Sequence, residues 1–323
     1  MRTRTLSRVV CVAAAAAAAV MAARASAQTF RSAVNLVVVP VSVSDPAGQH
    51  VADLTQNDFT LLEDGRERPI DDFSAERVPV SLGVLIDISG SMAGTRFADA
   101  QQTIRKILDR LAPEDRVFLA TFNETFRLVT PWTTNREDVV RAMANVKPSG
   151  GTFLYRALSS ALPLLDDQVN RKRALVLISD GDDNEKPGGI VNRDGLARVI
   201  AQATTSDAVV YAVAIGRAKP SIDEMLRQNA DPDERRRNLY DPPIDIDQMR
   251  RLTDPTGGYS KLIPTSADLA PAVIEIVDDV SRQYVLGFEP ANPRDGRTHT
   301  LKVTVRDSRL RVRARTEYLA GSP

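Results

Sequence analysis

The chain has 323 residues, 42 Lys and Arg against 42 Asp and Glu, with 43% hydrophobic and 26% charged residues. Formal neutrality excludes the standing positive field that gathers nucleic acid, and the composition is that of a globular protein able to build one large core or two smaller ones. With only His50, His299 and Cys11, a His/Cys zinc site, a disulfide framework and a Cys/His nucleophile pair are excluded, so any metal ion must be held by oxygen.

At the N-terminus, Arg2, Arg4 and Arg8 precede an apolar run from Val9 to Ala23, and Ala25-Ser26-Ala27 supplies small residues at a cleavage position. This pattern predicts a secretory signal peptide over residues 1–27. The run of about 15 residues is shorter than the roughly 20 that span a bilayer. Cys11 lies inside the run, too early for a lipid-attachment cysteine. Removing residues 1–27 takes four of the 42 bases and none of the 42 acids, leaving a net charge of −4. No later stretch approaches a membrane span. The expectation is a soluble exported protein, periplasmic or secreted, with no transmembrane segment after cleavage.

Leu36 to Val43 is β-branched and apolar, as a strand is. Asp45 to Gly48 reads as a turn, Asp58 to Gly65 as a strand running into an Asp-Gly turn, and Arg68 to Phe73 as the return. Three or four strands are too few for an independent two-layer sheet. From Val80 the rhythm changes. Val80 to Ile86, Arg116 to Phe122, Ala174 to Ser179 and Ala208 to Ile215 are apolar runs of the kind covered on both faces. Helical spacing marks Arg96 to Leu111, Asn135 to Val146, Phe153 to Leu165 and Gly195 to Thr205 between them. Strands alternating with helices predict an α/β fold, a doubly wound, mainly parallel sheet.

Residues 219–247, with Arg235-Arg236-Arg237 and Pro242-Pro243, break the pattern and read as an exposed insertion, either a solvated loop or a partner-binding excursion. A short helix (Asp247 to Thr253), a strand (Tyr259 to Ile263) and an amphipathic helix (Ala267 to Gln283) follow. Tyr284 to Phe288, His299 to Val305 and Arg309 to Arg315 then alternate as half-buried antiparallel strands do. The economical arrangement pairs the two ends into one small antiparallel β-sandwich: residues 28–78 with 284–323, and an α/β domain over 79–283 inserted between them.

Asp87-Ile88-Ser89-Gly90-Ser91 stands at the carboxyl end of the first apolar strand, where open α/β sheets bind ligands. Taken alone, the triplet reads first as the capping chemistry of a helix start. Ser149-Gly150-Gly151-Thr152 precedes the third helix, and Ser179-Asp180-Gly181 ends another apolar strand at the same sheet edge. In this order the three pieces resemble a von Willebrand factor type A domain and its metal-ion-dependent adhesion site, over residues 80–283. The resemblance implies that Ser89 and Ser91 coordinate a cation directly and Thr152 directly or through water. Asp87 and Asp180 would accept hydrogen bonds from metal-bound waters and from the serines. An oxygen-only set with few carboxylates suits Mg²⁺, with Mn²⁺ and Ca²⁺ as alternatives. One open position would take an Asp or Glu carboxylate of a partner protein. Ser179 stands where the family often has Thr, outside the ligand set. Asp182 to Glu185 read as a solvated acidic loop, or else as one that tunes affinity or contacts a partner, and Glu124 and Tyr155 as residues at the rim. More loosely, the hairpin around Asp58-Phe59 and Glu63-Asp64-Gly65, with the tail Tyr284 to Phe288, resembles exported bacterial proteins related to this family.

The expected function is therefore non-enzymatic: divalent-cation-dependent protein–protein interaction or adhesion outside the cytoplasm. The alternative is an envelope scaffold that binds through its insertion or sandwich, the metal site being secondary. Against a hydrolase, no Ser-His-Asp set can be built with both histidines in β segments. The first strand also ends in Asp-x-Ser rather than in paired carboxylates.

Overall fold

The computed structural model describes residues 36–166, 172–181, 183–185, 192–217 and 244–321. The expected signal peptide and most of the 219–247 insertion lie outside them. The chain enters through β1 (Val37–Ser44), β2 (Phe59–Glu63), β3 (Arg66–Arg68) and β4 (Asp72–Ser74). Asp64 and Gly65, which join β2 to β3, have φ of 49° and 77°. Two positive values in succession are the hairpin geometry that follows strand twist, and glycine takes the second without strain.

The central sheet is built from β5 (Val80–Asp87), β6 (Arg116–Phe122), β7 (Phe126–Thr133), β8 (Lys172–Ser179), β9 (Val209–Ile215) and β10 (Ser260–Ile263). Their order is β10-β9-β8-β5-β6-β7, and every pairing is parallel except β6 with β7. Helices α1 (Thr95–Arg110), α2 (Arg136–Ala144), α3 (Leu154–Ala161), α4 (Pro163–Asp166), α5 (Arg193–Thr205), α6 (Ile246–Thr253) and α7 (Leu269–Arg282) cover it. Alternation along β5 decides which helix packs where. Val80, Leu82, Val84 and Ile86 join one buried cluster with Ile104 and Ile107 of α1, Met143 of α2 and Ile276 of α7. Leu85 joins the other, with Leu158 of α3, Val199 of α5 and Leu252 of α6. Burial on both faces explains why β5 and β9 are buried at every position and read as unbroken apolar runs.

Two local features depart from the sequence reading. Strand β7 is an antiparallel edge, and its residues FRLVTPWT, with Pro131 and an irregular register against β6, carry no clean alternation. Proline is tolerated there because an edge strand needs no N–H on its outer side. The helix expected from Phe153 to Leu165 is two pieces, α3 and α4, divided at Leu162 before Pro163.

The chain returns through β11 (Tyr284–Phe288), β12 (Thr298–Val305), β13 (Arg311–Ala314) and β14 (Glu317–Leu319). The two ends interleave in two antiparallel sheets, β13-β1-β11-β4 and β14-β12-β2-β3. Val39, Val41, Leu61, Leu286, Phe288 and Leu301 are among the side chains buried together there. Pro40 sits in the half of β1 that pairs with β11 alone, since β13 joins only from Val41 onward. The sandwich meets the amino edge of the parallel sheet. Within the α/β body at that edge, Lys172 Nζ of β8 donates to the Ser281 carbonyl at the end of α7 at 3.0 Å. The Gln283 amide donates to Ser42 Oγ and to the Tyr211 hydroxyl, which donates to Asp279. The guanidinium of Arg315 donates to Asp207 and to the carbonyls of Thr204 and Ser206 at the end of α5. Among the described residues no helix is long and apolar enough to cross a membrane.

Candidate metal site at the carboxyl edge of the sheet

Three loops converge where β5 and β8 end. Register places Asp87 at the tip of β5, and Ser179 at the tip of β8 follows Ile178, the partner of Ile86. Asp87 is fully buried, with Oδ1 accepting from the Ser89 backbone N–H at 2.8 Å and Oδ2 from Ser179 Oγ at 2.6 Å. Ser89 Oγ lies 3.0 Å from Ser91 Oγ, which donates to Asp180 Oδ1 at 2.8 Å. A continuous hydrogen-bonded path therefore links Ser89, Ser91 and Asp180, with Asp87 fixed beneath Ser89. Ser91 is exposed while Ser89, Thr152 and Asp180 are buried, so the cluster opens to solvent at one side.

The middle loop is stitched to the first by backbone bonds, Ser149 N–H to the Ile88 carbonyl at 2.7 Å and Gly90 N–H to the Gly150 carbonyl at 2.9 Å. Gly150 has φ of +80°, a left-handed turn that glycine makes freely. Asn184 then clamps Thr152 from both sides: its Oδ1 accepts from Thr152 N–H and its own N–H donates to the Thr152 carbonyl, each at 2.8 Å. The Thr152 hydroxyl faces the third loop, 3.8 Å from where a Cβ on Gly181 would stand. All five residues expected from the sequence are thus gathered at one edge.

The electrostatics are unbalanced. Burial pushes the Asp87 carboxyl up to about 6, against the hydrogen bonds from Ser179 and Ser89, and the nearby Asp180 charge adds to the rise. Asp180 is also raised by burial, although Ser91 and the Arg96 guanidinium, 2.6 Å from its Oδ2, oppose it. Asp87 has no ion-pair partner among the described residues. A buried carboxylate lacking a countercharge is costly, and a divalent cation beside three hydroxyls would supply one. The donor set therefore fits a hard, oxygen-seeking ion. Among the described residues no three His, Cys, Asp or Glu side chains gather as ligands, here or elsewhere, so a cation at this edge would depend on the hydroxyls as well as on Asp87 and Asp180.

Several neighbours differ from their sequence reading. The acidic loop is not merely solvated: Asp183 is half-buried and accepts from the Tyr155 N–H, and Glu185 pairs with Arg156. Asp182 lies outside the described residues. Glu124 Oε1 accepts from Gly151 N–H at 3.1 Å, holding the middle loop, and the buried Tyr155 hydroxyl donates to Gln248 of α6 at 2.6 Å. Arg96 went unread. Its one signal is its place in the first turn of α1, where a base opposes the helix dipole and needs a partner from elsewhere.

Residues 82–182 match the family described as von Willebrand factor type A domain. The inter-alpha-trypsin inhibitor heavy chain H2 of Sus scrofa is 24% identical over 220 residues, 64% of this chain and 20% of that protein. The voltage-dependent calcium channel subunit alpha-2/delta-3 of Mus musculus is 31% identical over 118 residues, 32% of this chain and 11% of that protein. The chain thus spans a fifth or less of the length of these relatives. A solved structure, von Willebrand factor type A from Catenulispora acidiphila, superposes with a TM-score of 0.51 at 15% identity, covering 91% of this chain and 75% of that one. The likeness is one of fold.

Proposed function

Since the chain carries a von Willebrand factor type A domain, we propose that it is an exported, non-enzymatic binding protein whose edge loops hold a divalent cation, Mg²⁺ first, and receive an acidic residue of a partner protein. In this reading Ser89 and Ser91 bind the cation through their hydroxyls, and Thr152 binds it directly or through water. Asp87 and Asp180 orient the serines and accept from metal-bound waters. A bound cation offers one coordination position to a carboxylate from outside. The exposed Ser91 side of the cluster is where that carboxylate enters.

The observation that supports this most is the juxtaposition of Ser89, Ser91 and Asp180, at 3.0 and 2.8 Å, above a buried Asp87 that has no ion-pair partner among the described residues. Mn²⁺ binding followed by electron paramagnetic resonance tests it, with Mg²⁺ as competitor. The intact chain is expected to bind one ion that Mg²⁺ displaces, and Asp87→Ala and Ser91→Ala to lose it while remaining folded. Equal binding by Asp87→Ala would overturn the reading.

A further inference from the structure

Beside the loop cluster, between β7 and α2, runs an open groove of about 510 Å³. It starts at Ile88 and Ser149, neighbours of Asp87 and Gly150 in the loops already described, and extends past Arg127, Leu128, Val146 and Lys147. Its charge is one-sided: Arg127 and Lys147 line it and no carboxylate does. This stands out in a chain whose bases and acids are equal in number. Arg96, Arg141 and Arg156 each pair with a carboxylate nearby, whereas Arg127 and Lys147 have no ion-pair partner among the described residues. Ile88, Val129 and Val146, on the face of the sheet that α2 covers, line it and are only partly buried. An apolar strip flanked by two unpaired cations and joined to the loop cluster has the character of a contact surface rather than of ordinary solvated exterior.

We infer that this groove receives an acidic segment of the same partner protein, one carboxylate reaching the edge loops and a second pairing with Arg127 and Lys147. The inference rests on the reading above for the first carboxylate and on the groove's own charge for the second. Register supplies the spacing. Asp87 is aligned with Phe122, Phe122 with Phe126, and Thr121 with Arg127. Two strand-to-strand steps put the Arg127 backbone about 10 Å from Asp87. An extended segment covers that in about three residues, so the two acids stand about three to five residues apart with an apolar side chain between them, over Val129 and Val146.

The test is selection of a phage-displayed random peptide library on the full chain in Mg²⁺, with enriched peptides synthesised and measured by fluorescence anisotropy. Enriched sequences are expected to carry two acids at that spacing. The double variant R127E/K147E is expected to weaken them roughly tenfold or more while binding Mn²⁺ and unfolding thermally like the parent, and R127K/K147R to retain them. Peptides with a single acid whose binding R127E/K147E leaves unchanged would overturn the groove and spare the metal reading. Two-acid peptides lost in R127E/K147E but indifferent to EDTA and to Asp87→Ala would overturn the metal reading and spare the groove. A selection yielding basic or purely apolar sequences would overturn the inference.

Discussion

Arg96 reaches from the first turn of α1 to Asp180, its Nη1 donating to Oδ2 at 2.6 Å, so a cation of the chain's own holds one of the two carboxylates at the loop cluster. The other Asp180 oxygen is engaged by Ser91. On the proposed reading, Arg96 and the divalent ion would draw on the same carboxylate. The guanidinium is about one-third exposed, so solvent moderates its repulsion of a second cation. Arg96→Ala is expected to tighten Mn²⁺ binding about threefold to tenfold. Weaker binding in an isothermal titration would mean that Arg96 mainly orients Asp180.

His299 gives the sandwich a pH-dependent tie. Its Nδ1 lies 2.7 Å from Asp64 Oδ2 and its Nε2 3.2 Å from Asp295 Oδ1, and a protonated ring donates to both whereas a neutral one donates to one. The Asp64 hydrogen bond, ahead of the opposing burial, raises the imidazole above its usual 6.5. A raised value means that the stabilisation is fully present below about 6.5 and is lost as pH rises through the folded value. Asp64 is lowered, first by its bond from His299, so its own share is lost toward acid. His299→Gln should thus lower the unfolding temperature more at pH 5.5 than at pH 8.5 (both chosen to bracket that range). Equal losses at the two values would show that the tie is not ionic.

Arg315, 5% exposed, spends its fork on three groups of the α/β body, two of them carbonyls at the end of α5. Arg315→Met leaves those carbonyls without their donor and should cost about 2–3 kcal/mol in urea unfolding. Lysine, a single point donor, should recover less than half of it. A full recovery by Arg315→Lys would point to charge alone.

A chain of residues 81–282 should fold by itself, since both faces of its sheet are covered by its own helices. Residues 29–73 should not, because β1 and β2 pair chiefly with strands from the other end of the chain. Dispersed amide resonances from the first and collapsed ones from the second are expected. A folded monomer of residues 29–73 would contradict the interleaved sheets.

Legibility in the sequence followed how local the cause was. The strands buried on both faces announced themselves, as did Asn135, which caps α2 by accepting from Glu137 N–H. Asp87 ends β5, and Ser89, Ser91, Thr152 and Asp180 sit in the turns that follow a strand or precede a helix, but it was the order of the three motifs and the family they resemble, not any one turn, that grouped them. β7 was not, because an edge strand facing solvent is under little pressure to alternate, and Pro131 there argues against a strand. Arg96 and Asn184 were missed because their partners lie 84 and 32 residues away, and no local pattern encodes such a pairing.

The interleaving of the ends has a directional consequence. Both crossings between the sandwich and the α/β body, before Val80 and after Arg282, lie at the amino edge of the sheet. β5 runs eight residues from there to Asp87, about 25 Å. The sandwich accordingly serves as a base plate, and the loops carrying Ser91 and Asp180 stand on the far side of the sheet from both crossings, which leaves their approach clear of the plate.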